Sequence, residues 1–315
     1  MIEYNESLLS RTVLDAEKSY TEALTLAYNR ALVALDKTNG IYTKKNLNNI
    51  INELSKELYR LNGLFAVEYP PQAVDILEAS AKYTEAELAA ALRYADIQAS
   101  LYSIPKAMIK EFSEMGEINY FRVNAKGTRI ATPTTQEHLI KSIADTSSSK
   151  IRGIILAEGI NGTAPSTIAT RIRPYVSGNI TRKNIRSVTS SLLMESNARA
   201  SNEFYKENEE YIQYYVYESV LDSRTSILCA SLSQKKFKRS ELTDYNTPKN
   251  HINCRSVLLP IVEGYSYGTR PLVDANGKVH IVRGDMSFYE AQKYGYDLGD
   301  KKLINMDTYL SKIKV

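Results

Sequence analysis

The sequence predicts an α+β protein, with predominantly helical N-terminal and central regions, a small β-containing C-terminal module and an extended tail. Three observations lead there. From Asn5 to Lys37, small and apolar residues recur at Leu9, Val13, Ala16, Tyr20, Leu24, Ala27, Ala31 and Leu35, and no Pro or Gly interrupts the run; this spacing marks one face of a helix. After Gly116 the texture changes to the β-branched and aromatic residues of 118–123. Residues 211–217 (YIQYYVY) then concentrate the side chains that a pleated, half-buried strand favours.

The elements follow in order from local chemistry. Asn39-Gly40 stops the first helix, because both residues tolerate the left-handed region. A second helix over about 45–61 ends at Asn62-Gly63, and Pro70-Pro71 punctuates the chain again. Helix-forming residues resume near Ala73 and run towards Glu114, with a break around Tyr83-Thr84 and an interruption at Pro105. The strand at 118–123 turns at Ala125-Lys126-Gly127 onto a partner at 128–131. Thr134 or Thr135 caps a short helix to Ile143, Ser147-Ser148-Ser149 is a loop or a further cap, and 151–160 is helical. Asn161-Gly162-Thr163 turns the chain. Pro165 then sits near the first position of a helix that stops before Pro174. A long helix covers about 181–207. In the β module, 256–262 is a second strand whose Pro260 marks an edge or an end. Residues 272–274 and 278–282 flank Ala275-Asn276-Gly277 as a hairpin. The expected regions are 1–115, a helical arm or bundle; 116–207, basic and mainly helical; 208–262, the β-containing module; and 263–315, a tail over a neighbour or the parent domain.

Composition narrows the class. The 315 residues are 43% hydrophobic and 24% charged, which excludes wholesale disorder and collagen-like structure. No run approaches the roughly 18 apolar residues of a spanning helix, and the polar, acidic start MIEYNESLLSR predicts no secretory leader. Two cysteines make no disulfide framework, so folding in a reducing cytoplasm is expected. The 23 Tyr and absent Trp fit either partner surfaces or a core in which Tyr replaces Trp. The net charge of +4 is unevenly spread: residues 1–115 hold 12 basic and 16 acidic residues, whereas 121–187 hold 11 basic against 3 acidic. That second stretch includes Arg122, Lys126, Arg129, Arg171, Arg173, Arg182, Lys183 and Arg186. It can bind a polyanion, dock on an acidic protein surface, or face solvent alone.

The densest chemistry lies between Leu221 and Ile261, where both cysteines and one of three histidines fall. His251 and Cys254 can converge in a tight turn, with Cys229 joining from the other end. Thiolate and imidazole suit zinc, and Asp222 is a conceivable fourth ligand. A buried cysteine pair with a hydrogen-bonded histidine fits the same residues, as does a Cys-His nucleophile in a hydrolase or toxin. No Walker A loop, G-x-S-x-G elbow or H-E-x-x-H is present. His138, His280 and the scattered Asp285, Glu290, Asp297 and Asp300 read as structural or solvated residues.

This constellation resembles the signature of the Mu F-like minor head (head morphogenesis) proteins of tailed bacteriophages, in which L-D-x-R-T-C-x-x-C-x-x-L is followed by P-x-H-x-x-C-R-C and a short apolar strand. Leu221, Asp222, Arg224, Thr225, Cys229 and Leu232 match the first part. Pro248, His251, Cys254 and Arg255 match the second, with the spacing shifted at the proline, and Leu259-Pro260-Ile261 matches the strand. Two family cysteines appear as Ser226 and Ser256. Upstream, 153–172 resembles the family's helix-turn-helix element, and Leu192-Leu193-Met194-Glu195 keeps only the acid of an A-R-T-E motif. The resemblance spans about 130–262. It implies a non-enzymatic minor capsid protein, made in the host cytoplasm and carried in the virion. The expected partners are the portal, the major capsid protein or scaffold, and packaged DNA, with Leu221, Asp222, Arg224, Thr225, Cys229, His251, Cys254 and Arg255 as its structural signature. No cofactor is expected, apart from the zinc that the residue types of Cys229, His251 and Cys254 would suit.

Overall fold

The computed structural model describes residues 43–114, 117–123, 129–176, 179–243, 246–249, 251–265 and 267–306, with scattered positions between 18 and 37. The helix expected over 5–37 and its Asn39-Gly40 stop lie outside the described residues, apart from positions such as Lys18, Glu22, Asn29 and Arg30, which are helical. Among the described residues, no helix is long and apolar enough to cross a membrane.

Helix α1 (Lys44–Tyr94) starts on Thr43, whose Oγ1 accepts the Asn46 N–H. It runs through Asn62-Gly63, Pro70-Pro71 and Thr84, where breaks were expected. An interior proline costs about 3 kcal/mol, but Leu54 and Leu58 before the pair and Ala73 and Leu77 after it are buried. At about 1.5–3 kcal/mol per fully buried Leu, the flanking packing outweighs the defect. Thr84, buried inside the helix, satisfies its hydroxyl by donating it to the Ser80 carbonyl. The helix ends in a Schellman motif: Asp96 has φ 57°, Ile97 N–H bonds the Leu92 carbonyl, and Asp96 N–H bonds that of Arg93. Helix α2 (Lys106–Ser113) begins directly after Pro105, whose carbonyl accepts the Ile109 N–H.

Strands β1 (Glu117–Val123) and β2 (Arg129–Thr135) form the expected two-stranded sheet, and their turn lies outside the described residues. Helix α3 (Gln136–Ile160) is capped by Thr135 and is continuous through Ser147–Ser149. The serine loop is absent because Ser147 is buried and the Ser148 hydroxyl bonds that of Ser55 at 2.9 Å. Asn161 and Gly162 (φ 66°) end the helix, and helix α4 (Pro165–Val176) starts on Pro165 as expected. It runs past Pro174, where a stop was expected; the proline falls in the last turn and removes one backbone hydrogen bond there. Helix α5 spans Asn179–Glu207.

The chain folds as two units. One comprises residues 1–77, 113–119 and 132–193, the other 78–112, 120–131 and 194–315. In the first, α1 and α3 pack antiparallel, with Tyr59 donating to Asp145, Ser55 facing Ser148 and Leu47 against Gly159. A Cβ at Gly159 would lie 2.5 Å from Leu47 Cδ1, so a larger residue there would have to displace the Leu47 side chain.

In the second unit, β3 (Tyr214–Glu218) lies between β5 (Lys236–Phe237) and β6 (Val257–Ile261), and both pairings are antiparallel. Pro260 is therefore on an edge strand, as its missing N–H requires. The core joins Leu88, Leu92, Phe204, Tyr205, Tyr215, Tyr217, Leu228, Leu232, Phe237 and Leu258. Tyr205, Tyr215 and Tyr217 are among its largest fully buried side chains, so part of the tyrosine excess is core.

The tail packs on the parent module as folded structure. Strand β4 (Leu221–Asp222) pairs in parallel with β7 (Thr269–Val273), which pairs with β8 (Val279–Arg283) around the turn at Gly277, φ 82°. Helix α7 (Phe288–Lys293) is held by a Ser287–Glu290 capping box. A second core joins Leu272, Val282, Met286, Phe288, Ala291 and Leu298 to Leu221 and Ala230 of the signature.

Candidate functional site

The signature folds as two connected constellations. The first is a clamp on Asp222, at the end of β4. Arg255 donates to both its carboxylate oxygens at 2.7 Å, Nη1 to one and Nη2 to the other. The Arg224 N–H and the Thr225 hydroxyl each reach Oδ1 at 3.0 Å, and Arg224 Nε stands 3.3 Å from Oδ2. Burial alone would push this carboxyl up. The Arg255 hydrogen bonds and charge, helped by Thr225 and Arg224, hold it down at about 2. The planar guanidinium matches the carboxylate fork, which fixes where the chain returns from its loop. Asp222 is thus engaged by arginines and lies outside the group of potential ligand atoms formed by Cys229, His251 and Cys254.

The second constellation gathers Cys229, His251 and Cys254. Helix α6 (Ile227–Leu232) is capped by Ser226, whose Oγ accepts the Cys229 N–H at 3.2 Å. The cap places Cys229 Sγ 3.1 Å from His251 Nε2 and 3.8 Å from Cys254 Sγ. The potential ligand atoms of the three residues all lie within 4.8 Å of one another. Ser226 Oγ is 2.9 Å from the same Nε2, and the Tyr217 hydroxyl donates to Cys229 Sγ at 3.3 Å. His251 Nδ1 lies 2.8 Å from the Ile252 carbonyl and must donate to it, so in the neutral ring Nε2 presents its lone pair to the sulfurs.

Sequence reasoning missed Lys249. It is buried, with φ 71°; its N–H points at Cys254 Sγ at 3.4 Å, and its Nζ donates to the carbonyls of Cys254 and Ser256. It closes the H-x-x-C turn from inside, and burial pushes its pKa down. Nothing in the sequence separates this lysine from the exposed Lys236 and Lys238. Glu195 lies near this charge and bonds Arg199 at 3.1 Å, and burial pushes its carboxyl up.

The thiols are a coupled pair. The hydrogen bond from Cys229, with His251 and Lys249, holds Cys254 well below the usual thiol range, while the bond to Cys254 and burial push Cys229 well above it. Each cysteine is only 2% exposed. A nucleophile needs a path for substrate to reach sulfur, and burial opposes that use.

The basic residues scatter. Arg171 pairs with Glu158, and Arg173, Lys183 and Arg186 are exposed. Lys126 and the side chains of Arg122, Arg129 and Arg182 lie outside what is described. His138 is exposed on α3, His280 pairs with Asp274 at 2.9 Å, and Glu290 caps α7.

A helical scaffold followed by a clamped, cysteine-containing β module is the class of arrangement that the head-morphogenesis resemblance implies. The family model described as Phage Mu protein F like protein matches residues 150–259, from within α3 into β6, and so includes the signature side chains from Leu221 to Arg255. The match supports a Mu F-like phage head-morphogenesis family for the protein. Searches of curated proteins and of solved structures gave no match.

Proposed function

We propose that the protein is a minor capsid component that acts during phage head assembly by associating with the portal, the inner capsid wall or both, without catalysing a reaction. The carrying observation is the family match over 150–259, within which the signature side chains are engaged internally. Asp222 is bound by arginines and the thiols are buried, as suits a module that must keep its shape against a partner. The virion interior or portal vertex is then its location, with the portal and the major capsid protein or scaffold as partners.

Quantitative mass spectrometry of purified virions, scaled to the portal and major capsid proteins, tests this. A low copy number in fixed ratio to the portal is the expected result. Absence from virions would sink the reading. A second reading, an internal or ejected DNA-binding protein, draws on exposed Arg173 and Lys183 in the basic 121–187 stretch. It predicts binding of the full chain to duplex DNA that weakens steeply with salt and is reduced by R173E/K183E. No binding at low salt ends that reading.

A further inference from the structure

We propose that Cys229, His251 and Cys254 bind a zinc-class divalent ion, with an oxygen ligand on the Ser226 side completing a tetrahedron. The geometry carries the argument. Two Zn–S bonds of about 2.3 Å at a tetrahedral angle place the sulfurs about 3.8 Å apart, and Cys229 and Cys254 stand 3.8 Å apart. A thiolate and an imidazole on the same ion lie roughly 3.5 Å apart. Cys229 Sγ and His251 Nε2 are at 3.1 Å, so the ring has only a few tenths of an ångström to yield.

The ligands are also oriented for a cation. The bond from Nδ1 to the Ile252 carbonyl fixes the tautomer in which Nε2 is the donor atom, the outer-sphere arrangement that metal-bound histidines use. The Lys249 N–H aimed at Cys254 Sγ favours the thiolate that a metal requires. Ser226 Oγ, 2.9 Å from Nε2, marks the fourth position for its own oxygen or for a water it holds. Ile252 is 47% exposed and His251 is only partly buried, so an ion can enter from the turn. Two thiolates and a neutral imidazole balance the charge of a divalent ion. Soft sulfur with imidazole selects zinc over magnesium or calcium. The ion would tie the first turn of α6 to the H-x-x-C turn, beside the Asp222–Arg255 clamp that already bridges the two stretches.

The test uses the full chain, made and purified under thiol reductant without a metal-affinity step. Elemental analysis should find about one zinc per chain. Replacement by cobalt should give a thiolate-to-metal charge-transfer band with the intense visible bands of a tetrahedral site. H251A should lower zinc affinity at least ~10-fold. S226C, which adds a third thiolate, should raise the charge-transfer intensity by roughly half. Because C229S or C254S can fail by unfolding, the decisive readings are the wild-type metal content and the gain in S226C. A folded wild-type chain with two free thiols, no zinc and no cobalt spectrum overturns the proposal. So does a Cys229–Cys254 disulfide that persists in reductant.

Discussion

Glu218 and Asp222 stand at the ends of β3 and β4, and both side chains are 8% exposed. Each meets an arginine from a distant segment, Asp222 with Arg255 in the signature and Glu218 with Arg270 at the root of the tail. The two carboxylates nonetheless move in opposite directions. Asp222 is held at about 2, whereas burial pushes Glu218 up to about 7 against the pull of Arg270 and Gln234. The arginines make the difference. Arg255 is 24% exposed and is helped by Arg224, which is 78% exposed. Arg270 is 7% exposed and also donates to the carbonyls of Ser219 and Met286. Where water still reaches the cation, the attraction exceeds the cost of removing charge from solvent. Where both partners are dry, desolvation consumes most of the gain, and the pair fixes geometry more than it stabilises.

The largest test of this contrast is Arg270→Ala, which leaves Glu218 and two carbonyls buried without their donor. A loss of about 3–5 kcal/mol in chemical denaturation is expected; a loss below ~1 kcal/mol would mean that water already reaches the pair. Replacing both partners together sharpens the point. E218M/R270M should recover part of the Arg270→Ala loss, because no unpaired buried charge remains, although the Ser219 and Met286 carbonyls and the Gln234 amide still lose their partner. Arg255→Ala should cost less than Arg270→Ala, about 2–3 kcal/mol, since water can partly replace the lost donor around Asp222.

The pH dependence has opposite signs at the two sites. Glu218 binds its proton more tightly when folded, so its contribution is full below 4.5 and declines as pH rises through about 7. Asp222 is depressed from 3.8, so its contribution is full above that value and is lost as pH falls towards about 2. The second effect amounts to ~2 kcal/mol. Stability measured against pH should lose the first slope in E218Q and the second in D222N; an unchanged profile in both variants would reject the assignment. The smallest expected effect is Arg224→Ala, below ~1 kcal/mol by thermal melting, because its side chain is largely in water.

Much of the local structure was legible. Thr135 capping α3, Asn161-Gly162 ending it, Pro165 opening α4, Pro260 on an edge strand and the Gly277 hairpin are each decided within a few residues. The signature was legible as a set: Asp222, Thr225 and Arg255 meet, and so do Cys229, His251 and Cys254. Its division of labour was not. Asp222, conceivable as a ligand from spacing, is captured by an arginine 33 positions away, and the lysine inside the turn carries no local signal.

The sequence by itself determined where helices and strands can start and stop, because caps, turns and proline act through neighbouring dihedral angles and donors. The tertiary structure alone decided which of those stops were overruled. Helix α1 crosses Pro70-Pro71 and α3 crosses Ser147–Ser149 because their own side chains before and after those points, and Ser147 itself, are buried, which makes continuation cheaper than breaking. It also decided that the tail would fold against β4, and that two similar carboxylates would differ in acidity. Burial and long-range charge set those outcomes, and neither is a property of a residue and its neighbours in the chain.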